Sequence, residues 1–341
     1  MRTDLQAMPI YTPPSKECLN LANNENFYIQ WHDELGDRIE AVAQKLPFHQ
    51  YGSSEYGRLR QAYANYLGLP PEQVLSAPGS DSLIPILINA LTEQSVVTFD
   101  KDFFRYGQQA HILRRKQIKV PIESGVDGLI EAVRDNKAEL IIFSNPNNPL
   151  GLIQERDALV KLLSQTQCYV AIDEAYAEYS GESVVDLISE YPKLIVLRTM
   201  SKAWGLARLR IGFLVANADI ISFIRSVQGP FVMSDLNTMF AATVLEYESM
   251  MRKSVADTLE IRNGFAQYLR THPNITVHPS STNFIYVEVP DAKATAAGVL
   301  KDGVAIAAFG PNGLRITIGT DAQMEQLKYS LAKNLLNNEK K

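Results

Sequence analysis

The chain has 341 residues, of which 46% are hydrophobic and 21% charged, with a formal net charge of -5. That length exceeds one comfortable core, so two domains are expected in an ordinary soluble globular protein. The acidic balance, without any long block of one sign, argues against a nucleic-acid surface.

The opening MRTDLQAMPIYTPP has no apolar core for a secretion signal. The longest apolar run, near Leu83 to Leu91, is far short of a membrane span, and a cytoplasmic protein is expected. Cys18 and Cys168 lack CxxC spacing and suggest neither a metal site nor a disulfide framework.

Residues 1–30, with Pro9, Pro13 and Pro14, read as an extended arm. Trp31 to Leu46 has helical periodicity and stops at Pro47. Tyr51-Gly52-Ser53-Ser54 is a turn signal, followed by a helix from Glu55 to Leu67. Strands and helices then alternate. Helices are predicted at Ser80 to Leu91, Phe103 to Arg115, Leu129 to Asn136 and Arg156 to Ser164. Strands are predicted at Val96 to Phe99, Gln117 to Ile122, Leu140 to Phe143, Tyr169 to Ile172, Leu194 to Leu197 and Ile211 to Val215. Apolar strands alternating with helices predict an α/β fold, a mostly parallel sheet covered on both faces. Ligands of such sheets bind beyond the carboxyl ends of the strands.

After Pro230 the texture changes. Asn237 to about Leu269 predicts one long helix or two. Strands follow at Phe284 to Val289, Val304 to Ala308 and Leu314 to Ile318, with helices at Ala292 to Leu300 and Ala322 to Leu336. This is a smaller α+β unit.

The candidate chemistry clusters at strand ends. Lys202 follows the run Leu194 to Leu197 with Thr199 and Ser201 beside it and Arg210 beyond. A lone loop lysine is ordinarily solvated. Held in a dry pocket, it loses its proton more easily and attacks carbonyls. Ser80 and Asp81, after Pro78-Gly79, open a helix whose free N–H groups suit an anion. Asn148 lies in an Asn-Pro-rich loop that is equally readable as turn chemistry. Asp173 ends a buried strand and needs a partner there, either a ligand or an unseen arginine. Tyr176 is three residues on. Tyr106 is an aromatic in a helix-like stretch, suited to core packing or to stacking on a flat ligand. Arg315 in an apolar strand suits an anion, or an exposed edge.

Together these groups fit a ligand with a phosphate, an aldehyde and a heterocyclic nitrogen, as in pyridoxal phosphate. Lys202 would form the Schiff base, and Asp173 would hold the protonated ring nitrogen. Asn148 and Tyr176 would reach the ring oxygen. Ser80, Asp81, Thr199, Ser201 and Arg210 would surround the phosphate.

The segments SNPNNPLG (144–151), AIDEAY (171–176) and TMSKAWGLARLRIG (199–212) resemble the fold-type-I pyridoxal-phosphate-dependent aminotransferases. LANNENF (21–27) and LRITIG (314–319) resemble the histidinol-phosphate aminotransferase branch. The resemblance implies an arm over 1–30 packed on a small domain, a large cofactor-binding domain over 31–236 and a small C-terminal domain over 237–341. It implies substrate contacts at Arg315 and Asn23. It also implies a homodimer in which Tyr51 reaches the partner's site, towards cofactor phosphate and substrate. The partners expected are a small-molecule amino donor and an oxo acid acceptor. Two departures stand out: Phe27 replaces a proline of the family's arm motif, and Ala307-Ala308 occupies the place of an Arg-Asp pair common where substrates are phosphorylated. An aromatic or other amino acid is therefore an alternative substrate, and a threonine-phosphate-type decarboxylase an alternative reaction. The motifs GxSxG, GxGxxG and HExxH are absent, so hydrolase, dehydrogenase and metalloenzyme readings find no support.

Overall fold

The computed structural model describes residues 1–6, 8, 17–52 and 55–336. Pro9, Pro13 and Pro14 of the arm, and Ser53-Ser54 of the turn, lie outside the described residues.

Within them, a seven-stranded sheet has the order β2-β8-β7-β6-β5-β3-β4. Its strands are β2 (Val74–Ala77), β3 (Ser95–Phe99), β4 (Lys116–Val120), β5 (Leu140–Ser144), β6 (Tyr169–Asp173), β7 (Leu194–Thr199) and β8 (Gly212–Ala216). Only β8 runs against the others, being antiparallel to both β7 and β2. Strands β5 and β7 are buried along their whole length, as continuous apolar runs in a covered sheet require. Successive side chains feed opposite faces. Ile141, Phe143, Leu194 and Val196 enter one core, and Leu140, Ile142, Ile195 and Leu197 the other. Helix α1 (Trp31–Lys45) packs through Trp31 and Leu35 into the first core, and ends where Leu46 turns extended before Pro47. Helix α2 (Glu55–Leu67) covers the same face through Leu59 and Tyr63. The second core is closed by α3 (Leu83–Leu91).

The remaining helices, in chain order, are α4 (Arg105–Ile112), α5 (Gly125–Asn136), α6 (Arg156–Gln165), α7 (Ala177–Ser180), α8 (Ala218–Val227), α9 (Asp235–Val244), α10 (Glu248–Arg270), α11 (Ala292–Lys301) and α12 (Asp321–Leu336). A third core lies over an antiparallel sheet ordered β12-β13-β10-β9, built from β9 (Thr276–Val277), β10 (Phe284–Glu288), β12 (Ala307–Phe309) and β13 (Gly313–Thr317). The arm joins this part of the chain. Its strand β1 (Leu19–Asn20) pairs in parallel with β11 (Val304–Ala305), and Leu21 is fully buried in the third core.

Several expectations need correction. The single strand expected over Val304 to Ala308 is two, split at Ile306, because β11 pairs with the arm and β12 with β13. The segment from Asn237, expected as one long helix or two, is two, as the second alternative has it, separated by a 3-10 turn at Leu245–Tyr247. Ser80–Ser82 is one 3-10 turn before α3 begins. The helix expected from Phe103 starts at Arg105. Strand β2, helix α8 and the short β9 were not anticipated; VLSA is four residues between prolines, too brief for a periodic signal. Among the described residues no helix is long and apolar enough to cross a membrane.

Candidate functional site

The loops after β3, β5, β6 and β7 meet β10, β12 and β13 around one cavity of about 980 Å³. It is lined by Ser80, Asp81, Tyr106, Asn148, Asp173, Tyr176, Thr199, Ser201, Lys202, Arg210 and Arg315, with Asn23 from the arm. Chain order scatters these residues; the common direction of parallel strands gathers their carboxyl ends at one place.

Lys202 sits in the tight turn that follows β7. Its Nζ donates to the Asn23 carbonyl oxygen at 2.8 Å and lies 5.9 Å from the centre of the Tyr176 ring. Burial lowers its pKa to about 7, and the nearby Arg315 guanidinium pushes the same way. Much of it is therefore the neutral, nucleophilic amine near neutral pH.

Asp173 closes β6. No ion pair forms to it among the described residues, so the unseen-arginine reading falls. Its partners are the Tyr106 hydroxyl at 2.9 Å and the Ala175 N–H at 3.1 Å. Burial raises its pKa to about 6, a cost the two hydrogen bonds only partly offset. The next residue points the other way. Glu174 pairs with Arg198 beneath the sheet at 2.8 Å, and Arg198 also holds Glu178 at 2.8 Å.

Tyr106 differs from the expected stacking aromatic. Its ring is 1% exposed within the second core, and its hydroxyl, rather than a ring face, is engaged at the site. The half-buried Phe103, packed edge-on against Tyr106, also lines the cavity.

The Ser80, Ser201 and Arg210 cradle depends on close backbone approach. Arg210 takes the left-handed conformation at φ 54°, and its Nη1 donates to Ser201 Oγ at 3.3 Å. Gly79, at φ 78°, lies under that guanidinium, and a Cβ there would collide with it. A Cβ at Gly212 would strike the Ser80 backbone nitrogen. Thr199 Oγ1 donates to the Ile211 carbonyl at 3.2 Å and receives the Ser201 N–H at 3.1 Å, which fixes the turn. Asp81 is held by Arg105 at 2.8 Å.

Asn148 and Arg315 are hydrogen-bonded, Nη1 donating to Oδ1, while Arg315 Nη2 donates to the Ala22 carbonyl. Arg315 also lies between the rings of Phe284 and Phe309, with its carbon 5.4 and 5.3 Å from their centres. Ala307 is its direct cross-strand partner. Tyr51 is not brought to this cavity. It is 82% exposed and stacks on Phe231 at 4.5 Å.

Some participants escaped the sequence reading. Asn24, 1% exposed, donates from Nδ2 to the Tyr176 hydroxyl at 2.8 Å. Asp102 lines the cavity, accepts the Ser144 N–H at 3.1 Å and the Ser144 hydroxyl, and is pushed up to about 8 by burial. The LANNENF motif pointed to Asn23 on the arm, and the side chain that meets Tyr176 is that of its neighbour Asn24.

These groups fit pyridoxal phosphate: a buried lysine amine, a buried carboxylate that meets no cation among the described residues, a hydroxyl-rich cradle with one guanidinium, and a further guanidinium apart from it. The comparisons agree. Residues 16–331 match the family model described as aminotransferase class I and II. A histidinol-phosphate aminotransferase of Clostridium kluyveri is 32% identical, covering 98% of each chain. One from Chlorobaculum tepidum is 33% identical over 88% of this chain and 89% of its own. The histidinol-phosphate aminotransferase of Sinorhizobium meliloti, solved in complex with pyridoxal-5'-phosphate, superposes with a TM-score of 0.88 at 21% identity, over 99% of this chain and 98% of that one.

Proposed function

The chain belongs to the class I and II aminotransferases, and from that premise we propose that its cavity holds pyridoxal 5'-phosphate and passes an amino group between an amino acid or amino alcohol phosphate and a 2-oxo acid. The relatives named above as histidinol-phosphate aminotransferases suggest histidinol phosphate as the reference amino donor. The observation that carries the reading is Lys202, a buried amine with a pKa of about 7 in the same cavity as an Asp173 carboxylate that pairs with no cation among the described residues.

When bound, the cofactor supplies an aldehyde for an amine to attack and a ring that takes up electrons from a substrate carbon. Asp173 would hold the ring nitrogen in its protonated form. Ser80, the Asp81 backbone, Thr199, Ser201 and Arg210 would hold the phosphate, with Tyr51 of the partner subunit completing that end. Asn148 and Tyr176 would face the ring oxygen. Arg315 would take a substrate anion, with Asn23 beside it. Lys202 Nζ would take a proton from the substrate α-carbon and return it. Burial, which lowers the pKa of that amine to about 7, would favour its giving the proton back.

The test is a half-reaction. Yellow purified protein is mixed with histidinol phosphate or single amino acids, and the visible band is followed. It should fade with a good donor and return on adding a 2-oxo acid. Release of carbon dioxide without a recoverable oxo product would make the protein a decarboxylase.

A further inference from the structure

The arm contributes more than a cover. Asn24 is fixed on every side. Its N–H donates to Thr317 Oγ1 at 2.9 Å, its Oδ1 accepts from that same hydroxyl at 3.2 Å, and its carbonyl accepts from Asn283 Nδ2 at 3.1 Å. Its φ of 56° is a conformation that asparagine tolerates better than most residues. The Thr317 hydroxyl already accepts the Asn24 N–H, so its own proton is left for the amide oxygen. The Asn24 amide oxygen therefore faces Thr317, and its NH₂ faces Tyr176, 2.8 Å away. An N–H directed at the phenolic oxygen occupies a lone pair there. The phenolic proton must then point elsewhere, and Tyr176 lines the cavity.

We propose that Asn24 is a positioning residue for Tyr176: its amide turns the phenolic proton into the cavity, to be donated to the cofactor's ring oxygen. This rests on the reading of the cavity as a pyridoxal-phosphate site. It also ties that hydroxyl to β13, because Thr317 and Arg315 share the strand. The charged groups around Tyr176 and Lys202 are Arg315, Asp173, Glu25 and Arg210. Asn24 adds direction rather than charge.

The holoenzyme tests this through the pH midpoint of its visible band, which reports the proton shared by the ring oxygen and the Lys202 nitrogen. A donor to the oxygen makes that proton easier to lose, so removing the donor raises the midpoint. Tyr176→Phe should raise it by about one pH unit, the size of one charge-assisted hydrogen bond. Asn24→Asp has the same shape, but its carboxylate only accepts, so it should draw the phenolic proton to itself and raise the midpoint nearly as far. Asn24→Gly keeps the backbone conformation, leaves the proton undirected and should raise it less. Thr317→Val removes the hydroxyl that sets the direction of the Asn24 amide, so it should raise the midpoint by about as much as Asn24→Gly. In a Tyr176→Phe background, Asn24→Asp should lose most of its effect. Persistence of the full shift there would mean a through-space charge effect and would overturn the proposal. So would Asn24 variants that leave the midpoint unmoved while Tyr176→Phe moves it. A wild-type protein without any visible band would overturn the cofactor reading, and this inference with it.

Discussion

Asp173 is the residue at which the chain's chemistry is most exposed to test. A carboxylate buried with one phenol and one amide N–H has a pKa of about 6 and is still largely ionised at neutral pH. A cation placed against it would recover the energy of burial. Asn at this position keeps the shape and one acceptor but no charge. Asp173→Asn should fold, bind pyridoxal phosphate more weakly and lose at least about a hundredfold in turnover. A neutral effect on rate would mean that Asp173 serves only the fold. Lys202 gives the second prediction at this scale. Its folded pKa is lowered to about 7, so the neutral amine grows as pH rises through that value and is nearly complete by pH 8. The rate of reloading cofactor-free protein with pyridoxal phosphate, followed by stopped-flow absorbance, should rise through pH 7 and then level. A rate still climbing at pH 9 would mark an ordinary solvated lysine. Both residues were legible in the sequence because each lies at or just beyond the end of a buried apolar run. Tyr106 was legible only as an aromatic, and its hydroxyl contact depends on how α4 packs beside β3 and β4 to reach the end of β6. Asn24 and Asp102 carried no signal beyond their residue type, since their partners lie on distant strands.

Among the elements, the hairpin of β12 and β13 carries the substrate question. In-register pairing puts the Ala307 methyl group beside Arg315, at a position where the family resemblance leads one to expect a second cation. The wall nearby is apolar, with Phe104, Tyr286 and Phe309 lining the cavity. A phosphate carries about 1.5 to 2 negative charges at neutral pH. One missing charge-assisted contact costs about 1.5–3 kcal/mol, or roughly ten- to a hundredfold in binding. Specificity constants with 2-oxoglutarate as acceptor should therefore favour phenylalanine or leucine over histidinol phosphate. Ala307→Arg should shift the balance towards the phosphate. Histidinol phosphate leading by more than about tenfold would show that the alanines are compensated elsewhere. The alanines themselves were plain in the sequence. Their register against Arg315 was not, because the segment read as one strand, and the break at Ile306 follows from two different pairing partners.

For the whole molecule, the alternation of apolar strands and helices made the α/β class readable. The two faces of the large sheet follow directly from the period of two within each strand. The reversed β8 and the short β2 were not readable, since a sheet edge is set by pairing rather than by local pattern. Assembly belongs to this scale too. Phe48, Tyr51, Phe231 and Val232 are exposed on one chain, at 77%, 82%, 51% and 36%, and Tyr51 stacks on Phe231 away from its own chain's cavity. Exposed apolar surface of this kind marks an interface. We expect a homodimer by sedimentation, with activity lost on dilution that separates the subunits. A fully active monomer would exclude a contribution of Tyr51 to the partner's site.

The central claim is that Lys202 carries the cofactor, and borohydride reduction followed by peptide mapping addresses it most directly. Reduction of the yellow protein should fix one pyridoxyl group per chain on Lys202, and Lys202→Ala should still bind the cofactor but yield no reduced adduct. A pyridoxyl group found on any other lysine, or an undiminished adduct in Lys202→Ala, would contradict the account.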